Sequence, residues 1–184
     1  MPLRLRPALE TDVPLLRSLA QRIWHACYAD LLSLEQREYM LAWMYAPHKL
    51  ASEIRRGVNY RIAEMDGTPV GYLAWETLEG GDTVHLHKLY LLPEWHGRGV
   101  GQAMLAAVAD ASATAGARLL ELRVNRGNAR ALRAYARAGF EKAGEVLTDI
   151  GSGFVMDDFI LRRPLNLRAS DSDVRCGTGD PRSE

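Results

Sequence analysis

Leu89-Tyr90-Leu91-Leu92-Pro93-Glu94-Trp95-His96-Gly97-Arg98-Gly99-Val100-Gly101 is the most informative run of this chain. An apolar, strand-like segment meets Pro93, passes a turn with three glycines and leads at once into an Ala-rich stretch, Gly99 to Gly116, that reads as a helix. Glycine at such a turn lets the backbone approach a ligand with no Cβ in the way. Free N–H groups at the helix start, with the helix dipole behind them, suit a phosphate. Arg98 would add a cation at the same place. A plain tight turn is the alternative reading of the glycines alone. Two phosphate motifs are excluded. The dinucleotide fingerprint Gly-x-Gly-x-x-Gly fails at Gln102 when counted from Gly97 and at Met104 when counted from Gly99. A P-loop needs a Gly-Lys pair, and the chain has none.

Outward from this turn, periodicity sets the elements. Upstream, Thr83 to Leu92 and Pro69 to Thr77 are strands, parted by Gly80-Gly81-Asp82. Tyr60 to Glu64 is a third, and Asp66-Gly67 is a strong hairpin signal. Before them lie helices: one opened by Thr11-Asp12 with Leu15, Leu16, Leu19 and Ile23 facing the core, one opened by a Ser33/Gln36 capping box, and a short one from Pro47 to Gly57. Leu3-Arg4-Leu5-Arg6 alternates as a half-buried strand. Downstream, Leu119 to Val124 is a strand, Asn128 to Ala138 a helix closed by Gly139, and Glu141–Asp149 and Gly153–Arg163 a final strand pair. This order implies a mixed α/β, or α+β, domain over residues 1–165 with a largely antiparallel sheet. The remainder, 166–184, is rich in Ser, Asp, Gly and Arg and reads as a disordered tail.

Composition bounds the function. The chain has 184 residues, 47% apolar and 25% charged, which suits one ordinary globular domain. Lys+Arg and Asp+Glu are 23 each, so the basic excess of a nucleic-acid binder is missing. Cys27 and Cys176 allow at most one disulfide, and their contexts suggest a reduced, cytoplasmic protein. No Cys/His cluster has zinc-ligand spacing, so no metal is expected. No run approaches the ~20 apolar residues of a membrane helix.

A second informative segment is Val124-Asn125-Arg126-Gly127-Asn128-Ala129-Arg130-Ala131-Leu132-Arg133-Ala134-Tyr135-Ala136-Arg137-Ala138-Gly139-Phe140. Asn128 and Tyr135 are seven apart and share a helix face. Together, the two segments resemble the GCN5-related N-acetyltransferase family: the first its pyrophosphate turn, Gln/Arg-x-x-Gly-x-Gly/Ala, with His96 where Gln or Arg is usual, and the second its other coenzyme A segment. The resemblance implies a mixed, mostly antiparallel sheet of six or seven strands with about four helices. It also implies a splay between the two central strands, with acetyl-CoA between Thr83–Leu92 and Leu119–Val124.

The resemblance also implies an activity, direct transfer of acetyl from acetyl-CoA to a primary amine of a small molecule within a ternary complex. The cofactor would be held by His96, Gly97, Arg98, Gly99, Val100, Gly101 and Gln102 at its pyrophosphate. Leu89 and Leu91 would pair by backbone with its pantetheine arm, Tyr90 between them is a further cofactor contact, and Asn128 and Tyr135 complete the set. Tyr135 is the expected general acid for the departing thiolate. His85 and His87, two apart on a strand whose face is expected to continue through Leu89 and Leu91, are the candidate bases. Glu76 is the alternative base and a candidate for the acceptor site. Trp24 and Tyr28 are further acceptor candidates, with Asp30, Glu35 and Asp157-Asp158 as acidic groups nearby. Arg130 and Arg133 read as solvated. A protein N-acetyltransferase of the ribosomal-protein type and a non-catalytic coenzyme A module are the competing readings. Homodimers are common among such domains, but no residue here demands one.

Overall fold

The computed structural model describes residues 2–166. Of the expected tail only Asn166 falls among them, and Cys176 lies outside. The order is β1 (Leu3–Pro7), α1 (Val13–Cys27), α2 (Leu34–Met44), α3 (Pro47–Arg55), β2 (Asn59–Met65), β3 (Thr68–Thr77), β4 (Thr83–Leu91), α4 (Val100–Thr114), β5 (Leu119–Asn125), α5 (Ala129–Arg137), β6 (Glu141–Gly151) and β7 (Phe154–Pro164). Short 3-10 turns at Glu10–Asp12 and Pro93–Trp95 join them.

Local chemistry accounts for most boundaries. Asp66 and Gly67 both take positive φ, 49° and 76°, the pair of left-handed residues that a two-residue hairpin requires. Ser33 Oγ accepts from the Gln36 backbone N–H at 3.1 Å. The Gln36 side chain instead turns away and donates to the Val155 carbonyl, and it does not accept from the Ser33 N–H, so only half of the expected capping box forms. Asp12 does not cap α1 with its side chain. Its carboxylate takes both terminal nitrogens of Arg6 at 2.8 Å and the Leu9 N–H, which ties β1 to the start of the helix.

Seven strands form one sheet in the order β1-β2-β3-β4-β5-β7-β6. All neighbours are antiparallel except β4 and β5, which the α4 crossover makes parallel. That parallel pairing has only four register pairs, from Thr83↔Leu119 to Leu86↔Leu122. Beyond Leu86 the two central strands part, as the splay demands.

A bulge sits at the point of parting. Trp75 pairs with Leu86 and Ala74 with Lys88, which leaves His87 without an opposite residue. The extra residue flips the alternation of β4. Before it, Val84 and Leu86 point into the core shared with α4. After it, Leu89 and Leu91 do so, while Lys88 turns to the α3 side, where it pairs with Glu53 at 3.3 Å. The expected continuous face from His85 and His87 through Leu89 and Leu91 is therefore wrong. The histidines and the leucines lie on opposite sides of the sheet.

The two faces pack differently. Under α4 and α5 lies an aliphatic core of Leu73, Val84, Met104, Leu105, Leu120 and Leu122. Under α1–α3 the core holds Leu16, Leu19 and Ile23 with the rings of Trp24, Tyr45, Tyr60 and Tyr72. Leu16 is fully buried, and truncating such a residue to Ala costs about 2–5 kcal/mol.

Candidate active site

A cavity of about 1010 Å³ runs along the splay. At the C-terminal end of β4 it begins at α4. Gly99 is the N-cap of that helix with φ 80°, and no side chain caps it. The first intrahelical bond runs from the Ala103 N–H to the Gly99 carbonyl, so the N–H groups of Val100, Gly101 and Gln102 have no intrahelical acceptor. A Cβ at Gly101 would meet nothing within 4 Å, and Gly101 lines the cavity. This cradle, open where any side chain would fill it, fits an anionic group.

The cation at this end is not the expected one. The Arg98 guanidinium lies over the Trp95 ring, 5.1 Å from its centroid, and Arg98 is absent from the cavity wall. Arg130, expected as a solvated charge, lines the wall instead. Its Nη1 lies 2.8 Å from His96 Nδ1. His96 Nε2 lies 2.8 Å from the Leu91 carbonyl. A carbonyl only accepts, so Nε2 carries the proton and Nδ1 accepts from Arg130. Burial and the neighbouring arginine both push the His96 pKa down, in keeping with a neutral ring. His96 thus fastens Arg130 to the end of β4.

The middle of the cavity joins β4 to α5. Asn128 caps α5, its Oδ1 accepting from the Ala131 N–H at 3.1 Å, and it also faces the cavity. Gln102 on α4 donates to the Ala134 carbonyl at 2.8 Å, which locks the two helices together. Tyr135 lines the cavity and packs edge-on against Phe140. Burial, with Tyr28 close by, pushes its phenol pKa well up, so it holds its proton at neutral pH. Leu92 N–H bonds to Val70 on β3. By the alternation of an antiparallel ladder, Leu89 and Leu91 turn their own N–H and C=O groups towards the splay. Val100 is buried in the core, and its side chain does not reach the cavity wall.

At the head of β4 the wall becomes side chains. His85 and His87 both line it, their rings 4.7 Å apart. Glu121 and Arg123 of β5 and Asp158 of β7 join them, with Met40, Met44 and Leu78 as apolar neighbours. Glu76 does not reach the wall; it accepts from His87 Nε2 at 2.7 Å. Trp24 and Tyr28 stack at 4.8 Å and face the cavity from α1. Asp30 and Glu35 are exposed and off the cavity wall. The acidic pair on β7 divides: Asp157 pairs outward with Arg126 at 2.8 Å, whereas Asp158 is 7% exposed and turned inward. Burial raises the Asp158 pKa, opposed by Arg123. Sequence reasoning misses Glu121 and Arg123, because nothing local in their strand marks them.

Among the described residues no cluster of three or more His, Cys, Asp or Glu could hold a metal ion, and no helix is long and apolar enough to cross a membrane. Residues 20–140 match the model of the family described as Acetyltransferase (GNAT) family. An uncharacterized N-acetyltransferase of Mycobacterium tuberculosis is 38% identical over 104 residues, 56% of this chain and 65% of that protein. The chain thus spans just under two thirds of that relative's length. The spermidine N(1)-acetyltransferase of Thermoplasma acidophilum is 26% identical across 85% of this chain and 97% of its own. Among solved structures, the PaiA N-acetyltransferase of Thermoplasma acidophilum, crystallised with coenzyme A, superposes with a TM-score of 0.77 at 25% identity, covering 89% of this chain and 99% of that one. The ribosomal-protein-S18-alanine N-acetyltransferase of Escherichia coli shares the fold, with a TM-score of 0.68 at 18% identity over 92% of this chain and 98% of that one.

Proposed function

The chain belongs to the GNAT family of acetyltransferases, and from that premise we propose that it moves acetyl from acetyl-CoA directly to the primary amine of a small molecule. One observation carries the reading. A single cavity joins the free N–H groups of α4, the open edge of β4, the Tyr135 phenol and the His85/His87 pair. The relative crystallised with coenzyme A supports the choice of cofactor. Bound there, acetyl-CoA supplies the activated acetyl group.

This chain's own residues do the rest. The α4 N–H groups and Arg130 hold the pyrophosphate. The backbone of Leu89 and Leu91 orients the pantetheine arm as an added strand. His85 takes the proton that the attacking amine must lose. Tyr135 donates its proton to the departing sulfur.

The acceptor end favours a small cationic amine. Asp158, inward and with no salt bridge among the described residues although Arg123 is near it, would hold an ammonium group, and the methionine walls would hold its carbon chain. The Thermoplasma spermidine acetyltransferase is consistent with that choice. A peptide acceptor would need an open groove, and Trp24, Tyr28, Leu32 and Met40 occupy that side. The test is thiol release from acetyl-CoA in the presence of diamines, spermidine, simple monoamines and N-terminal peptides. Release with the small amines and not the peptides is expected. Tight acetyl-CoA binding with no release by any amine would leave a binding module and end the enzyme reading.

A further inference from the structure

Glu121 stands on β5 directly opposite His85, in the second-last register pair before β4 and β5 part. The same row continues to either side: Glu76 of β3 opposes His85, and Arg162 of β7 opposes Glu121. Register partners share a sheet face, so a line of alternating acidic and basic groups crosses four strands at the head of the cavity. Within it, Glu121 Oε1 lies 3.3 Å from His85 Nδ1, and Glu121 Oε2 accepts from Arg162 Nε at 2.8 Å. The side chains of His85 and Glu121 are each 14% exposed, so water screens this pair little.

A carboxylate has only acceptors. Nδ1 of His85 therefore carries the hydrogen, and the lone pair of the neutral ring is on Nε2. We propose that Glu121, braced by Arg162, is a positioning residue for His85: it fixes the tautomer and the ring plane so that Nε2 is the atom that takes the proton of the attacking amine. This rests on the reading of His85 as the base. The balance is simple. The amine nitrogen bonds to the acetyl carbon as the carbon–sulfur bond breaks, Nε2 gains the amine proton, and the sulfur receives the Tyr135 proton. His85 then yields its proton to water and Tyr135 regains one from water.

His87 has a matching partner in Glu76, at 2.7 Å. That pair is 34% and 42% exposed, and exposed pairs are weak. Shielding thus singles out His85 from the two histidines. The groups facing its ring are Glu76 and His87 from β3 and β4, Glu121 and Arg123 from β5, and Arg162 from β7. Burial, His87 and Arg123 push the His85 pKa down, and Glu121 pushes it up.

The experiment compares Glu121→Gln, Glu121→Ala and Glu121→Asp with the parent enzyme. It measures acetyl transfer against pH at saturating acetyl-CoA, acetyl-CoA affinity, and the His85 tautomer by ring-nitrogen NMR. In the parent, the proton is expected on Nδ1. Glu121→Gln should lower kcat about tenfold at pH 7 and leave acetyl-CoA affinity unchanged, which also reports that the variant is folded. Loss of the anion disfavours the imidazolium, so the acidic limb of kcat should move to lower pH. Glu121→Ala should release the tautomer to a mixture, and Glu121→Asp should restore part of the rate. An unmoved acidic limb and an unchanged tautomer in both Gln and Ala variants would overturn the inference. His85→Gln separates the two layers. If it slows transfer while the Glu121 variants behave as the parent, only the positioning role falls. If it leaves transfer unchanged, His85 is not the base and the positioning role falls with it.

Discussion

The two ends of the cavity are built on opposite plans. At α4 the protein presents mainly its own backbone: three N–H groups left free at a glycine N-cap, and the strand edge of Leu89 and Leu91. At the head of β4 it presents side chains from β4, β5 and β7 and from α2. A backbone site suits what every acetyl-CoA shares, because every residue except proline supplies the same N–H group. A side-chain site can be rebuilt one residue at a time without disturbing the fold. The contrast predicts that substitutions at the acceptor end alter substrate choice more readily than substitutions at the α4 end alter the cofactor.

Substitutions at the two ends should therefore separate cofactor binding from acceptor chemistry. Gly101→Val is expected to have the largest effect. Its Cβ enters open space, so the helix keeps its form, while a side chain stiff at χ1 fills the cradle. Acetyl-CoA affinity measured by calorimetry should fall by about 100-fold or more, roughly 3 kcal/mol, with thermal stability unchanged. A normal dissociation constant would break the comparison at its firmest point. Tyr135→Phe should cut kcat by about 100-fold at an unaltered acetyl-CoA affinity; an unchanged rate would remove Tyr135 from the chemistry.

At the acceptor end, Asp158→Asn should raise KM for a diamine about tenfold and leave cofactor affinity alone. The parent enzyme should lose the same interaction on acidification, and at a higher pH than an ordinary Asp would, because the raised pKa of Asp158 lets it protonate earlier. A diamine KM that is flat with pH and indifferent to Asp158→Asn would unseat that residue. His96→Ala is the mildest. It frees Arg130 from β4, and a loss of about 1 kcal/mol, some fivefold in acetyl-CoA affinity, is expected. No change there would mean that Arg130 holds its place without the imidazole.

The same division explains what the sequence disclosed. The backbone end lies within residues 89–101 and 124–140, and its glycines, its Asn128 cap and Tyr135 are visible because the demand for them is local. The hairpin at Asp66-Gly67 was visible for the same reason. The acceptor end depends on pairing. Glu121 matters because β5 lies beside both β4 and β7, and no local pattern predicts the order β5-β7-β6. The bulge at His87 carries no glycine, but it leaves a mark: the apolar positions shift from Val84 and Leu86 to Leu89 and Leu91, with His87 and Lys88 two polar residues in a row, a break in alternation that the spacing of the two histidines alone hides. Arg130 lines the cavity and Arg98 does not, because the Trp95 ring captures Arg98 and His96 holds Arg130, contacts that need the folded turn.

The parting of β4 from β5 has a thermodynamic side. After Leu86 the sheet is one strand short in its own interior, and on that edge the N–H and C=O groups of Leu89 and the N–H of Leu91 belong to no ladder, while the Leu91 carbonyl accepts from His96. A ligand that pairs there completes the fold as well as occupying it. By linkage, a ligand held only by the native state adds about 2.7 kcal/mol of stability at a concentration 100 times its dissociation constant. The melting temperature of this protein would then report the acetyl-CoA level around it, which makes the gap in the sheet a gauge of cofactor supply.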